Sequence, residues 1–508
     1  MSQSIGLLVD AKKDEPLYRQ IFDQVVARIE AQAFPPGFRL PPTRELAREL
    51  ATHRNTVVRA YADLEAAGFV TSTVGRGTFV ETTTPARKST LPPKRAARPI
   101  AWTSILGRGG SSDALARGER YPRRIEGRDV VNLARMQPSI DLLPDELFRR
   151  CVARALAEHG GHAMTYSLPE GIPRLRTAIA DELASRGVPT RAEDVLVTSG
   201  SQQALDLLAR AILDPGDTIL VDAATYSGAI DVFTLAGARL VSVPSDEEGP
   251  DISALERAGA KGAKALYVMP NGHNPTGRTM STARRRALVA WSQTFGIPII
   301  EDDYCAGLVL DETRAEPHIR ALDGNVVYLS TFSKRLIPAL RVGFVVAPAP
   351  LHTVLGRMKR VVDLGTSPVM QHALAEFIER GYLRAHMTRV TREYRLRRDA
   401  LADALTKHLP AECTFQVPTH GIVTWVSLPR SVSPDDVHAE AMRQGVLVSP
   451  TAMWAADASA EPGVRIAFCA EPPDRLVLGA RRLGKAIKTV MARSGAHETR
   501  AARELEMV

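Results

Sequence analysis

From residue 130 onward the chain alternates short apolar runs with amphipathic stretches, and few folds accept that rhythm. Apolar runs at 195–197, 218–221, 265–268, 297–300, 326–329 and 343–346 have the length of buried strands. Helical periodicity fills the gaps, notably at 201–213 and 281–295. Buried strands separated by helices predict a mostly parallel sheet covered on both faces, with ligands beyond the strands' carboxyl ends. At 508 residues the chain exceeds one ordinary core, which predicts two or three domains.

The residues that carry chemistry stand at those strand ends. The run 326–329 leads to Thr331, Ser333 and Lys334, with Arg341 soon after. A lysine leaving a buried strand can lose hydration and drop its pKa, as Schiff-base chemistry requires, and Thr331, Ser333 and Arg341 can then grip a phosphate. A lone Ser-Lys pair is more often a surface turn, so the rest of the chain must decide. Thr198-Ser199-Gly200-Ser201-Gln202-Gln203 follows a strand and opens a helix. Its backbone amides and the Ser201 hydroxyl form an anion site, although a plain helix cap at Ser199 or Ser201 uses the same residues.

Two further strand ends add functional groups. Asn274-Pro275-Thr276-Gly277, taken as a bare tetrapeptide, reads as a turn. Glu301-Asp302-Asp303-Tyr304 brings a carboxylate able to keep a heteroaromatic nitrogen protonated and a tyrosine able to bond a phenolate oxygen. A metal site is the rival reading of the paired aspartates, but no histidine or further acid lies at a useful local spacing. Arg465 stands inside the apolar run 463–468, where a half-buried arginine asks for an anionic partner.

The amino-terminal region has another texture. Leu17, Ile21, Val25 and Ile29 fall on one helix face; a short helix carries Leu46, Ala47 and Leu50; a turn at Ala51-Thr52-His53 precedes a third helix with Val57, Val58, Tyr61 and Leu64. Gly68-Phe69-Val70 and Thr78-Phe79-Val80 flank a hairpin tip that bears Arg76. Helices around a tight turn, followed by a basic-tipped hairpin, predict a winged helix-turn-helix. The third helix begins with Arg54, Asn55 and Thr56, which would face base edges in the major groove of a double-stranded operator, and carries Arg59 as a further DNA-binding candidate, while Arg44 and Arg76 would reach phosphates or the minor groove. Each arginine alone reads as a solvated charge, and the joint placement carries the inference.

Residues 82–127 are basic, bear prolines and lack periodicity, which reads as a linker. The net charge of +8 favours polyanionic partners without proving DNA binding. Four scattered cysteines fit a reduced cytoplasm, and no apolar run approaches membrane-spanning length, so a soluble cytoplasmic protein is expected. The charged end from Ser494 is either a helical extension or a frayed tail.

Taken together, these motifs resemble two known families. Arg39-Leu40-Pro41-Pro42-Thr43-Arg44 through Arg54-Asn55-Thr56-Val57 to Gly75-Arg76-Gly77 is similar to the winged helix of the GntR regulators, with Ala51-Thr52-His53 departing from the usual glycine, small apolar residue and serine. Gly200-Ser201-Gln202, Tyr226, Asn274-Pro275-Thr276-Gly277, Asp302-x-Tyr304, Ser333-Lys334, Arg341 and Arg465 resemble, in order, the cofactor site of fold-type I pyridoxal-phosphate aminotransferases. The two in series resemble the MocR subfamily of transcriptional regulators.

The resemblance implies a winged helix over 15–81, a linker over 82–127, an α/β pyridoxal-phosphate domain over 128–490 with a smaller carboxy-terminal α+β subdomain, and a tail over 491–508. It implies that Lys334 forms a Schiff base with pyridoxal 5′-phosphate and that Asp302 pairs with the ring nitrogen. Asn274 and Tyr304 would hold the ring oxygen, and Tyr226 would stack on the ring. Ser201, Gln202, Thr331, Ser333 and Arg341 would take the phosphate, joined by Tyr166 from a neighbouring subunit, which implies a homodimer. Arg465 would hold the carboxylate of a small amino-group effector, sensed through external aldimine formation at Lys334 and read out on DNA. The alternative is a working aminotransferase with an ancillary DNA-binding domain.

Overall fold

The computed structural model describes residues 5–10, 15–73, 77–81, 101–112, 114–117, 119, 121, 129–311 and 316–506. The chain divides into two compact units, Met1–Ala101 and Trp102–Val508.

In the first unit, helix Leu17–Glu30 buries Ile21 and Val25, and helix Thr43–Glu49 buries Leu46 and Ala47. The third helix, Arg54–Ala66, buries Val57, Ala60, Tyr61 and Leu64. Val58, named with them as an apolar residue of this helix, is exposed. The 3.6-residue period carries the buried stripe from Val57 to Ala60 and Tyr61, so Val58 points away from it. Between the second and third helices Ala51 adopts a left-handed φ of 48°. Strands Arg39–Leu40, Gly77–Val80 and Val70–Thr73 form an antiparallel sheet with Gly77–Val80 in the middle. The hairpin tip, including Arg76, lies outside the described residues.

The second unit is built on seven strands: β1 (Val195–Thr198), β2 (Thr218–Asp222), β3 (Arg239–Val243), β4 (Ala265–Val268), β5 (Ile299–Asp303), β6 (Val327–Thr331) and β7 (Gly343–Val346). Their order is β1-β7-β6-β5-β4-β2-β3. All neighbours pair in parallel except β7, which runs antiparallel to both β6 and β1. The alternation of side chains divides the core between the two faces. Leu196, Tyr267, Ile300 and Leu329 pack on one side, and Val195, Val197, Tyr328 and Phe344 on the other.

Two expected strands shift towards their carboxyl ends. The run 297–300 pairs only from Ile299, because Pro298 has no amide to donate, and it continues to Asp303. The run 326–329 becomes β6, which extends through Thr331 and so ends beside the lysine. Edge strand β3 escaped the sequence reading.

Three helices position the site: α1 (Ser201–Ile212), α2 (Ser227–Ala236) and α3 (Ala349–Asp363). A second, antiparallel sheet orders Thr414–Phe415, Val423–Ser427, Gly463–Ala467 and Ser449–Pro450, and its third strand carries Arg465. The last helix, Pro473–Glu506, runs on through the expected tail. Within the expected linker, the chain already joins the larger unit by Arg108. Its guanidinium donates to the Ala236 carbonyl at 3.0 Å, Arg117 pairs with Asp231 at 3.1 Å, and the Tyr121 hydroxyl donates to Asp435 at 2.6 Å. Among the described residues no helix is long and apolar enough to cross a membrane.

Candidate functional site

The strand ends open on a cavity of about 730 Å3 lined by Ser201, Gln202, Tyr226, Asn274, Asp302, Tyr304, Thr331, Ser333, Lys334, Arg341 and Arg465. Strands β1, β5 and β6 deliver residues from distant parts of the sequence to this one space. Tyr166 does not line it and is 84% exposed.

Lys334 leaves the end of β6, and its Nζ donates to the Met136 carbonyl at 2.8 Å. Burial lowers its pKa; Cys469 opposes that shift, and Arg465 and Arg341 reinforce it. An amine so placed is easier to deprotonate, which nucleophilic attack on a carbonyl needs.

Asp302 and Asp303 are adjacent on β5 and face opposite sides of the sheet. Asp303 accepts hydrogen bonds from Tyr328 at 2.6 Å and Arg186 at 2.7 Å. Burial pushes its pKa up, but His318 and Arg186 outweigh that and hold it below the usual carboxylate range. Asp302 faces the cavity, where Tyr267 donates to its Oδ2 at 2.7 Å. Burial raises its pKa to about 7, with Tyr267 opposing and Asp303 adding to the rise. Its Oδ1 is buried and has no partner among the described residues. A buried acceptor left unpaired is costly, and a protonated ring nitrogen would satisfy it.

Asn274 is buried, with Oδ1 likewise unpartnered. The Tyr304 hydroxyl donates to the Gly272 carbonyl at 2.8 Å. Tyr226, at the start of α2, donates to Gln202 Oε1 at 3.0 Å, and Gln202 Nε2 donates to the Gly228 carbonyl at 2.8 Å. The Gln202 amide group is thus engaged in holding Tyr226.

At the anion end, α1 begins after Gly200 (φ 86°) with no side-chain cap. The plain-cap reading of Ser199 and Ser201 is therefore not what the chain builds, and the first amides of α1 keep their need for an acceptor. Arg341 Nη2 donates to the Ser199 carbonyl at 3.1 Å, and a Cβ at Gly200 would lie 2.7 Å from that nitrogen. The Thr331 hydroxyl donates to Ser333 Oγ at 3.0 Å. The unpaired Asp302 oxygen, the buried amine and this uncapped, side-chain-free cradle fit pyridoxal phosphate. Among the described residues no three histidine, cysteine, aspartate or glutamate side chains converge as metal ligands.

Arg465 is buried opposite. Its guanidinium donates to the Ala134 carbonyl and, at 3.2 Å, to Ser449 Oγ, and lies 4.3 Å from the Trp454 ring centroid. Burial lowers its pKa to about 10. Its Nε has no partner among the described residues. Tyr267, Trp454 and the backbone of 134–137 were not foreseen. Tyr267 sat inside an apolar run that read as core, and the other groups carry no local motif.

The model of the aminotransferase class I and II family matches residues 128–482, and that of the bacterial regulatory proteins of the gntR family matches residues 17–80. The chain is 30% identical to the probable rhizopine catabolism regulatory protein MocR of Rhizobium meliloti, over 94% of this chain and 95% of that one. This chain belongs to the MocR subfamily of GntR-type regulators. It is also 30% identical to the uncharacterized HTH-type transcriptional regulator YdfD of Bacillus subtilis, over 95% of this chain and 98% of that one. The crystal structure of LysN, an alpha-aminoadipate aminotransferase from Thermus thermophilus, superposes with a TM-score of 0.71 at 32% identity, covering 77% of this chain and all of that one.

The GntR-type unit of this MocR-type chain exposes Arg44, Arg54, Asn55 and Arg59, with Thr56 half-buried among them. The Arg59 guanidinium lies 3.8 Å from the Tyr18 ring centroid. That contact limits its reach while leaving its charge on the surface.

Proposed function

We propose that this MocR-type chain is a pyridoxal-phosphate-dependent transcriptional regulator that senses an amino acid or related amine, or the cofactor itself. The observation that carries the reading is the pairing of Lys334 with Arg465 in one cavity, in a chain that also bears a DNA-reading unit. Pyridoxal phosphate supplies an aldehyde and an electron-withdrawing ring that activate a bound amine. Lys334 anchors it, Asp302 keeps its ring nitrogen protonated, and Asn274 and Tyr304 hold its ring oxygen. Tyr226 lies against its face. Ser201, Gln202, Thr331, Ser333 and Arg341 hold its phosphate. Arg465 binds the effector's carboxylate through a two-pronged contact.

The exposed Tyr166 completes the site from a second copy, which makes the working form a homodimer, in the cytoplasm where its operator DNA lies. Arg44, Arg54, Asn55, Thr56, Arg59 and Arg76 contact that DNA.

A second reading, a working aminotransferase, is favoured by one specific feature: Lys334 and Asp302 are both in place, so amine chemistry is available. One experiment separates the two. Purified protein is titrated with amino acids while its visible cofactor absorbance and its binding to promoter fragments of its own and adjacent genes are followed together. The regulator reading expects spectral and DNA-affinity changes at the same ligand concentration. Steady turnover of amino donor and keto acceptor without specific DNA binding supports the enzyme. A spectrum unaffected by Lys334→Ala ends both.

A further inference from the structure

Behind the anion end of the cavity lies a charged pair that none of these roles uses. Lys359 on α3 has no solvent exposure. Its Nζ donates to both Asp363 oxygens, at 2.8 and 2.7 Å, and to Gln203 Oε1 at 3.3 Å. Asp363 also accepts from Gln203 Nε2 at 2.7 Å, from Ser199 Oγ at 3.3 Å and from the Gly365 amide at 2.9 Å. One carboxylate thus ties the end of α3 to the two residues that flank the start of α1.

Ser199 is held from every side. Its amide donates to Gln203 Oε1 at 2.7 Å, its hydroxyl reaches Asp363, and its carbonyl accepts from Arg341 at 3.1 Å. The next residue is Gly200, whose left-handed backbone turns the chain into α1 and presents its uncapped amides. An ion pair whose lysine is fully buried and whose aspartate is half-buried is a poor way to gain stability, since well-packed apolar groups of the same volume commonly do as well or better. The pair is neutral overall, so it adds no net charge for an anion. What it supplies is a fixed geometry for Ser199 and Gln203.

Resting on the pyridoxal-phosphate reading, we propose that Lys359 and Asp363 are positioning residues that set the Ser199–Ser201 turn for a phosphate monoester, and so make the site select the phosphorylated cofactor over its dephosphorylated form. They touch no ligand and act through Ser199 and Gln203.

The test compares pyridoxal phosphate with pyridoxal, both followed by visible absorbance in the full-length protein. The double variant Lys359→Met/Asp363→Leu replaces the pair by apolar groups and leaves no orphaned charge. Asp363→Asn, which keeps the shape and one acceptor, serves as the second variant. The Kd for pyridoxal phosphate should rise about tenfold in the double variant, the scale of one misplaced hydrogen bond to a charged group, and less in Asp363→Asn. The Kd for pyridoxal should stay within about twofold in both. Equal weakening of the two ligands would mean a merely structural pair and overturn the proposal, as would no change in either. Wild-type protein that takes up neither ligand overturns the cofactor reading itself and this inference with it.

Discussion

Tyr267 on β4 donates a 2.7 Å hydrogen bond to Oδ2 of Asp302 on β5 and so fixes which oxygen of that buried carboxylate is left for a ligand. The remaining oxygen, Oδ1, is the one without a partner among the described residues. The two strands pair in parallel, so the orientation of the carboxylate is set by the sheet itself rather than by a loop.

The first prediction concerns pH. Asp302 is held at about 7, above the value a carboxyl group has in an unfolded chain. Between roughly pH 4 and 7 the folded, cofactor-free protein therefore keeps a proton that the unfolded chain has lost. Its stability should fall as pH rises through that window, by at most about 1.4 kcal/mol per pH unit. Asp302→Asn should remove this slope, because the amide oxygen still accepts from Tyr267. Melting temperatures of cofactor-free wild type and variant should agree near the acid end and separate by pH 8, with the variant higher. Identical pH profiles would contradict the environment described for Asp302.

Arg465 offers a test of ligand class. Arg465→Met should weaken binding of amino acids by about a hundredfold, the worth of a charge-assisted two-pronged contact, and leave simple amines nearly unaffected. Arg465→Lys should recover little, since an ammonium cannot reproduce the planar fork. Spectral titration of the cofactor-loaded protein gives both constants.

On the DNA side, Arg54→Ala should lower affinity for the operator. If the side chain meets a phosphate, the dependence of log K on log salt should become shallower by about one unit while sequence preference persists. If it meets a base edge, discrimination at one position should relax by about 1–3 kcal/mol. Fluorescence anisotropy across a salt series tells the two apart, and an unchanged isotherm would remove Arg54 from the interface.

Ala51 holds a left-handed φ of 48° in the turn between the second and third helices of the winged unit. A side chain pays for that conformation and glycine does not, so Ala51→Gly should stabilise this unit by about 1 kcal/mol. Calorimetry should show its transition moved up by several degrees, and a downward shift would mean that the alanine side chain contributes packing that outweighs the strain.

How far the sequence could be read depended on whether a residue's meaning was local. Lys334, Asp302 and the Ser199–Ser201 turn each follow an apolar run, so strand, strand end and functional group were legible together. Strand β3 was not, because edge position gave it a mixed pattern of exposure in place of an apolar run. Lys359 stands in a helix between Arg357 and Arg360, where a charge with an i,i+4 aspartate reads as solvated surface, and only the tertiary contact with Gln203 reveals its burial. The partner of Asp302, Tyr267, lies on another strand, and no spacing rule connects the two. Val58 and Val57 look alike in the sequence, and only the helical phase set by Val57 and Ala60 separates the exposed one from the buried one.

The carbonyls of Ala134 and Met136 hold Arg465 and Lys334, two cations on different subdomains, through a single stretch of main chain. On the function proposed above, a bond between Lys334 and the cofactor would free one end of that stretch, and a ligand carboxylate taking over Arg465 would free the other. Cys469 Sγ also donates to the carbonyls of Arg135 and Gln137, at 3.7 and 3.5 Å, so on the proposed function this strip of backbone would stay anchored while the two cations at its ends answered to different ligand groups, one to the cofactor and one to a carboxylate.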